Sequence, residues 1–406
     1  MKRLVPARSL AAIGVLAAFL VSAAPSAATT GSLPSRLSRA LHVPDVSLAA
    51  SGAVVVDLAT GQVVYAHNAA LPLRPASNEK LAVTYAALTA LGPAFRIETD
   101  VLGEGAQAGP RWNGDLVLKG YGDPTLSSAD LAALARQVRG EGITFVSGRV
   151  LGDESWFDAH RTAPGWKAAF FIDESPPLSA LVVNRGRVGR WTSRNPALSA
   201  AQLLTKALAR AGVRVAGGAT VGVADDGAVG LASVDSPTLA ALVHWMDKVS
   251  DNFTAEMLVK ELGAVQAGKG TTAAGLGVVT AQLTDAGVPL AGVRLVDGSG
   301  LSLLDRMTAS ALVSLLRVMW NDTGVQPELL ASLPVAGRTG TLHERMRGTA
   351  AKGVVRAKTG TTDNSTALSG FAGHRYVFSV LINGDPVSWA WSRIAVDRFA
   401  TALATG

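Results

Sequence analysis

Three short motifs follow one another along this chain, and any fold it adopts has to bring them together. Ser77-Asn78-Glu79-Lys80 opens a long helical stretch, Ser250-Asp251-Asn252 falls between two helical segments, and Lys358-Thr359-Gly360 closes the alternating run GVVRAK. Each alone is a weak signal, since a Ser-x-x-Lys or a Ser-x-Asn arises about once by chance in a chain of this length. Their order, and the fit of each to its local pattern, is a much narrower condition. It calls for a fold in which a helix start, an interhelical loop and a strand meet at one cleft.

The residue types in the motifs point to acyl chemistry on a serine. Ser77 and Lys80 lie three apart at a helix start, so their side chains share a face. The helix start adds free N–H groups and partial positive charge. A serine is a poor nucleophile until a base takes its proton. A lysine serves as that base only if its pKa falls, which burial and a neighbouring cation both promote; Lys358 is the natural neighbour. Read alone, the pair is better taken as an N-cap serine with a solvent-facing lysine. Ser250 is placed to relay a proton to a leaving amine and Asn252 to grip a substrate amide, the plain alternative being a turn with Asn252 capping the second helix. Gly360 would let substrate backbone approach, and the backbone N–H groups of Ser77 and Thr361 would form an oxyanion hole. Arg338-Thr339-Gly340-Thr341 is similar to the third motif, but it follows a Pro334 loop with no strand pattern before it.

The N-terminus reads as a targeting segment. Lys2, Arg3 and Arg8 precede an apolar stretch from Leu10 to Val21, then small residues at Ser22, Ala24, Ser26 and Ala28. That is a secretory signal peptide over residues 1–28, with cleavage after Ala24 or Ala28. The apolar run is short for a membrane anchor, and no later segment is long and apolar enough to cross a bilayer. The mature chain is therefore expected to be exported, to the periplasm or extracellular envelope, without a transmembrane anchor. The formal charge of +6 drops to about +3 after processing, with no Lys/Arg block, so nucleic-acid binding is not indicated. The absence of cysteine is no obstacle outside the cytoplasm, because a chain this long buries a large core without disulfides.

Local patterns give an α/β (α+β) organisation. Residues 51–66 read as two strands joined by a Thr60-Gly61 turn, and a helix runs from Ser77 to Leu91, closed by Gly92-Pro93. From Ile97 to Ala232 the pattern changes to short strands, Gly-rich turns and a helix near Leu131 to Val138. Ser236-Pro237 reads as N-cap and first residue of the helix TLAALVHWMDKVS. Helices and loops then lead to strands at GVVRAK, ALSGFAG and YVFSVLIN, and a last helix runs from Trp389 to Leu403. The expected division is a discontinuous domain, 29–96 and 233–406, interrupted by an inserted α/β domain, 97–232.

Four further blocks accompany the motifs: Gly122-Asp123-Pro124-Thr125, Ala163-Pro164-Gly165-Trp166, Asp297-Gly298-Ser299-Gly300-Leu301-Ser302, and Gly340-Thr341-Leu342 with Arg345-Met346. With them the chain resembles the D-alanyl-D-alanine carboxypeptidase/endopeptidase family, the class C low-molecular-mass penicillin-binding proteins, over nearly the whole mature sequence. The resemblance implies a penicillin-recognising serine transpeptidase/β-lactamase-like domain carrying an insertion. It implies Ser77 as nucleophile and Lys80 as general base, with Ser250, Asn252 and Lys358 in support. Thr359, Gly360, Thr361 and Ser299 fall on the substrate side. The implied substrate is the D-Ala-D-Ala end of peptidoglycan stem peptides, with β-lactams as covalent inhibitors and neither cofactor nor metal. Cleavage of peptide cross-links is the alternative activity. A non-catalytic envelope protein binding wall peptides is a third reading, but a pure binder needs neither Ser77 nor Lys80. Two departures stand out. The Ser77-to-Ser250 spacing is short for the family, so a second inserted domain is expected to be reduced or missing. Leu303 also stands where family members commonly carry an arginine associated with the peptide side chain.

Other chemistries fit less well. A class A β-lactamase needs a deacylating Glu-x-x-Leu-Asn, and Glu328 is followed instead by Leu329-Leu330-Ala331-Ser332, as a surface residue at a helix end. Gly263-AVQA-Gly268-Lys269 approaches a phosphate loop, yet Gly270 replaces the required hydroxyl and a helix precedes it. His343-Glu344 begins a zinc motif that Arg347 breaks.

Overall fold

Six of the seven residues of β1 (Ser51–Asp57) are buried, so its sequence reads as an unbroken apolar run rather than an alternation. The computed structural model describes residues 31–406, and the expected signal peptide lies outside the described residues. β1 turns at Thr60-Gly61 into β2 (Val63–His67) and pairs on its other edge with β14 (Tyr376–Asn383), from Ser51 opposite Ile382 to Asp57 opposite Tyr376. β13 (Ser365–Ala372) and β12 (Val355–Thr362) complete an antiparallel sheet in the order β12-β13-β14-β1-β2. The first and last parts of the chain thus build one sheet.

Strand periodicity divides this sheet between two cores. Val54, Val56, Phe371, Val377 and Leu381 face a helical layer of α2 (Lys80–Ala90), α6 (Leu239–Val249), α7 (Asn252–Ala267), α8 (Thr272–Asp285) and α9 (Ala309–Asn321). Ala53, Val55, Leu368, Phe378 and Val380 face α1 (Leu33–Leu41) and α11 (Trp389–Leu403). Each fully buried Leu or Phe contributes roughly 1.5–3 kcal/mol. α2 is buried from Lys80 through Leu88, so the helix that carries the motif lysine is the central one of its layer.

A second sheet draws every strand from residues 98–235. It contains β3 (Glu98–Ala108), β4 (Arg111–Gly120), β5 (Phe145–Val146), β6 (Val150–Asp153), β9 (Arg214–Val215), β10 (Ala219–Val221) and β11 (Val229–Asp235), and it shares no strand with the first. α3 (Ser128–Gly140), started by a Ser127/Asp130 capping box, and α5 (Pro196–Arg210) pack on it through Leu131, Leu134, Leu204 and Leu208. Between these elements, residues 154–195 hold only α4 (Phe170–Asp173), one 3₁₀ turn and the ladder of β7 (Arg187–Val188) with β8 (Trp191–Thr192). This irregular segment packs Phe157, Leu178 and Val182 on Phe253 and Met257 of α7. α10 (Gln326–Ser332) carries Glu328 in its first turn.

The chain leaves the first body at Ile97 and returns at Ser236, and the two passages touch. Ser236 N–H donates to the Ile97 carbonyl at 2.9 Å, and Ile97 N–H donates to Ser236 Oγ at 3.0 Å. This displaces the expected start of α6. Ser236 spends its side chain on Ile97, so Thr238 becomes the cap by accepting from Ala241 N–H, and the helix begins at Leu239. The helix expected from Ser77 also begins later, because Ala76–Glu79 is a 3₁₀ turn and the α-helix starts at Lys80.

α7 and α8 approach most closely at Gly275, where a Cβ would lie 1.8 Å from the Val259 carbonyl oxygen. Gly275→Val is therefore expected to destabilise the protein by about 3 kcal/mol or more, the upper range for overpacking. Urea denaturation measures this; an unchanged midpoint would show that the two helices separate freely.

Candidate active site

The turn carrying Ser77 is held in an unusual shape from behind. Ala76 has φ 46° and Gly300 has φ 79°, and a Cβ on Gly300 would sit 2.0 Å from the Ala76 carbonyl oxygen. Only glycine at 300 lets the Asp297–Ser302 loop close on this turn. Ala76 bears the cost of the left-handed region, of order 1–2 kcal/mol, and presents Ser77 beside the cleft. On the other side, Asn78 Nδ2 donates to the Lys358 carbonyl at 3.2 Å.

Lys80 is fully buried, and its Nζ reaches three oxygens: Ser77 Oγ at 2.9 Å, Asn252 Oδ1 at 2.8 Å and the Ser299 carbonyl at 2.6 Å. Burial lowers its pKa, while the carboxyl groups of Asp297 and Glu256 pull it back up. Asn252 is free to serve Lys80 because it is not the helix cap. Asp251 caps α7 by accepting from Thr254 N–H at 2.8 Å and forms a two-pronged pair with Arg185 at 3.1 and 2.8 Å. Asn252 Nδ2 donates in turn to the Glu174 carbonyl at 3.1 Å. Ser250, at φ 62°, ends α6 in the left-handed conformation.

Lys358 is also fully buried. It donates to Ser250 Oγ at 2.8 Å and to the Thr359 carbonyl at 3.0 Å. Burial, then the Lys80 ammonium, push its pKa down to about 7, with Asp247 opposing. β12 is an edge strand. Ala357 N–H is used on its outer edge by the Pro334 carbonyl. Alternate strand residues point the same way, so the N–H groups of Thr359 and Thr361 lie on that edge too. Thr359 Oγ1 donates to Thr341 Oγ at 2.7 Å.

The cleft so formed has a volume of about 330 Å³. Ser77, Ser250, Asn252, Thr359 and Thr361 line it together, as do Glu174, Leu301, Thr341, Arg345, Thr366, Trp389 and Arg393. Two residues expected on the substrate side lie behind it, which corrects their placement. Ser299 is fully buried, with its hydroxyl donating to Asp297 Oδ2 at 3.0 Å and its carbonyl serving Lys80. Gly360 faces the serine turn, where a Cβ would lie 2.8 Å from the Pro75 carbonyl oxygen. The close approach it permits is that of the turn.

The Arg338–Thr341 segment was set aside as a third motif but kept, from Gly340, as one of the accompanying blocks, and Thr341 reaches the cleft through Thr359. Arg345 lines it as well, held by Asp397 of α11 with Nη2 at 2.5 Å. Trp389 and Arg393, four apart on α11 with the guanidinium 5.1 Å from the indole ring, were missed, because nothing in the sequence located that face.

A cleft serine paired with a buried lysine, a Ser-x-Asn loop between helices and a Lys-Thr-Gly edge strand on an antiparallel sheet define a penicillin-recognising serine hydrolase. The chain belongs to the D-Ala-D-Ala carboxypeptidase 3 (S13) family, whose model matches residues 33–193 and 189–403. It is 34% identical to a D-alanyl-D-alanine carboxypeptidase of Actinomadura sp. (strain R39), over 93% of this chain and 87% of that protein. It is 32% identical to the carboxypeptidase DacB of Mycolicibacterium smegmatis, over 92% and 84%. The fold is similar to penicillin binding protein 4 (dacB) from Haemophilus influenzae, with TM-score 0.81 and 21% identity over 91% of this chain and 98% of that one. The same protein is also solved in complex with a β-lactam.

Asn252→Asp puts a carboxylate where an amide oxygen now meets Lys80 Nζ. An opposite charge at that range raises a lysine pKa by about 1–3 units. NMR titration of the Lys80 side chain is expected to show that rise; an unmoved titration would mean Asn252 does not set the lysine's charge.

Proposed function

We propose that this serine-type D-Ala-D-Ala carboxypeptidase works on peptidoglycan stem peptides, outside the cytoplasm, through an acyl-enzyme on Ser77. The observation that carries the reading is the three-way contact of Lys80. A neutral amine has two N–H bonds and one lone pair. Asn252 Oδ1 and the Ser299 carbonyl can only accept, so they take the two N–H bonds and leave the lone pair facing Ser77 Oγ. Lys80 in that state removes the hydroxyl proton as Oγ attacks the carbonyl of the D-Ala-D-Ala bond. The developing oxyanion is received by the backbone N–H groups of Ser77 and Thr361, the latter on the open edge of β12. Ser250, held by Lys358, relays the proton that Lys80 took on to the leaving amine, which returns Lys80 to its neutral state. Water then repeats the sequence, with Lys80 again as base, to release the shortened peptide. A β-lactam presents the same carbonyl chemistry and would acylate Ser77.

Ser77→Ala is expected to fold and to lose covalent labelling by fluorescent penicillin; a label carried on another residue would sink the nucleophile. Lys80→Ala should acylate about 10²–10⁴-fold more slowly, the usual worth of a positioned base. Stopped-flow acylation at near the parent rate would point to a different base.

The substrate's terminal carboxylate is read by Lys358, Thr359 and Thr361. A hydrogen bond to a charged group is worth about 1.5–3 kcal/mol, so a peptide ending in D-Ala-D-Ala amide should be cleaved at least about tenfold less efficiently than the free acid. Thr361→Val should narrow that gap by slowing the acid selectively, since only the hydroxyl is removed. Equal kcat/KM for acid and amide in the parent enzyme would remove this role.

A further inference from the structure

Behind the serine–lysine pair lies a buried acidic cluster that these steps leave unused. Glu79, Asp297 and Asp305 present carboxyl oxygens within 4.8 Å of one another, and all three are essentially without exposure. Glu256 joins from α7, where its Oε1 accepts the N–H groups of Gly298 and Ser299 at 3.0 and 2.8 Å. Besides Asp297 and Glu256, the carboxyl groups of Asp251 and Asp247 also bear on Lys80. On the outer side Arg306 donates to the carbonyls of Leu303 and Asp305, not to a carboxylate.

The members are unequal. Asp297 accepts four hydrogen bonds: from Trp166 Nε1 at 2.7 Å, Ser299 Oγ at 3.0 Å, Ser302 N–H at 2.9 Å and Gly300 N–H at 2.7 Å. Asp305 Oδ1 accepts Val296 N–H at 2.8 Å. Asp305 Oδ2 and both oxygens of Glu79 have no hydrogen-bond partner among the described residues. A carboxylate buried with both oxygens orphaned is far less stable than one that holds a proton and donates it to a neighbour. Asp297 and Asp305 Oδ1 are already taken by donors, and the three orphaned oxygens left are about half of the roughly six to eight that a calcium ion takes, so protons satisfy the cluster more simply than a cation.

We propose that Glu79 and Asp305 are positioning residues that rest as neutral carboxylic acids, handing hydrogen bonds along the cluster to Asp297 as its anion, and that their neutrality leaves Lys80 able to shed its proton. The link is short. Glu79 directly precedes Lys80, and the Asp297 loop carries the Ser299 carbonyl that grips Lys80 Nζ. Two more negative charges at this place would hold a proton on the lysine. Burial, then mutual repulsion, push Glu79 well above the carboxylate range and Asp305 up to about 10. Glu256 rises to about 8 for the same reasons.

The inference rests on Lys80 as the base, and the full chain tests it through Glu79→Gln and Asp305→Asn. A group with a raised folded pKa binds more protons folded than unfolded. The parent therefore loses stability as pH rises from the ordinary carboxyl range towards about 10. Both variants should lose less over that window in thermal unfolding. The infrared carbonyl band of a buried carboxylic acid, present in the parent at neutral pH, should weaken in each. The alkaline limb of penicillin acylation should move up by roughly one pH unit. A parent protein without that band overturns the proposal even if neither variant folds. So does stabilisation of the parent, but not of Glu79→Gln, by added calcium or magnesium. A weakened band with normal acylation by Lys80→Ala would instead leave the cluster's protons in place and remove the base.

Discussion

Two lysine side chains are buried side by side within hydrogen-bond reach of two serines, and the surrounding structure exists to make that tolerable. An isolated ammonium in such a place would cost several kcal/mol. Burial lowers the pKa of both lysines, and they meet oxygen acceptors from four separate elements. The serine turn, the Asp297–Ser302 loop and β12 each deliver one, and the junction of α6 and α7 delivers two, Ser250 Oγ and Asn252 Oδ1. The fold is in this sense a means of delivering acceptors, and the central position of α2 follows from it.

How much of this is written in the local sequence differs by element. β1, β13, β14 and α11 follow the expected runs because burial on both faces, or a clean helical pattern, is a local signal. The three motifs sit where a helix start, a turn and a strand were expected for the same reason. What local pattern cannot settle is competition between equivalent groups. Asp251 and Asn252 are both good caps, and partners distant in sequence separate their roles: Arg185 pairs with Asp251 at the cap, while Lys80 and the Glu174 carbonyl engage Asn252. Ser236 is a good cap that Ile97 claims first. Ser299 and Gly360 belong to conspicuous motifs, but the side they face is set by the Pro75–Asn78 turn. Glu79 occupies an unconstrained position of Ser-x-x-Lys, and its burial against Asp305 is purely tertiary.

The irregular segment 154–195 is bound into the site more firmly than its lack of regular structure implies. Trp166 reaches Asp297, Arg185 clamps Asp251, and the Glu174 carbonyl takes Asn252. Each contact ends on a residue that itself steadies Lys80 or its loop. Because Glu174 also lines the cleft, a displacement of this segment is felt at once in the order around the lysine and in the wall of the cleft.

The hydrogen-bonded meeting of Ile97 and Ser236 has a topological consequence. Because the chain departs and returns through one narrow doorway, everything between is a closed loop whose ends stay put whatever its contour. The entropy of closing such a loop grows only with the logarithm of its length, about 0.6 kcal/mol per doubling. Residues added to or removed from the second sheet, away from the segment that touches the cleft, thus leave the main body almost indifferent. The catalytic geometry is insulated from drift in the size of its appendage.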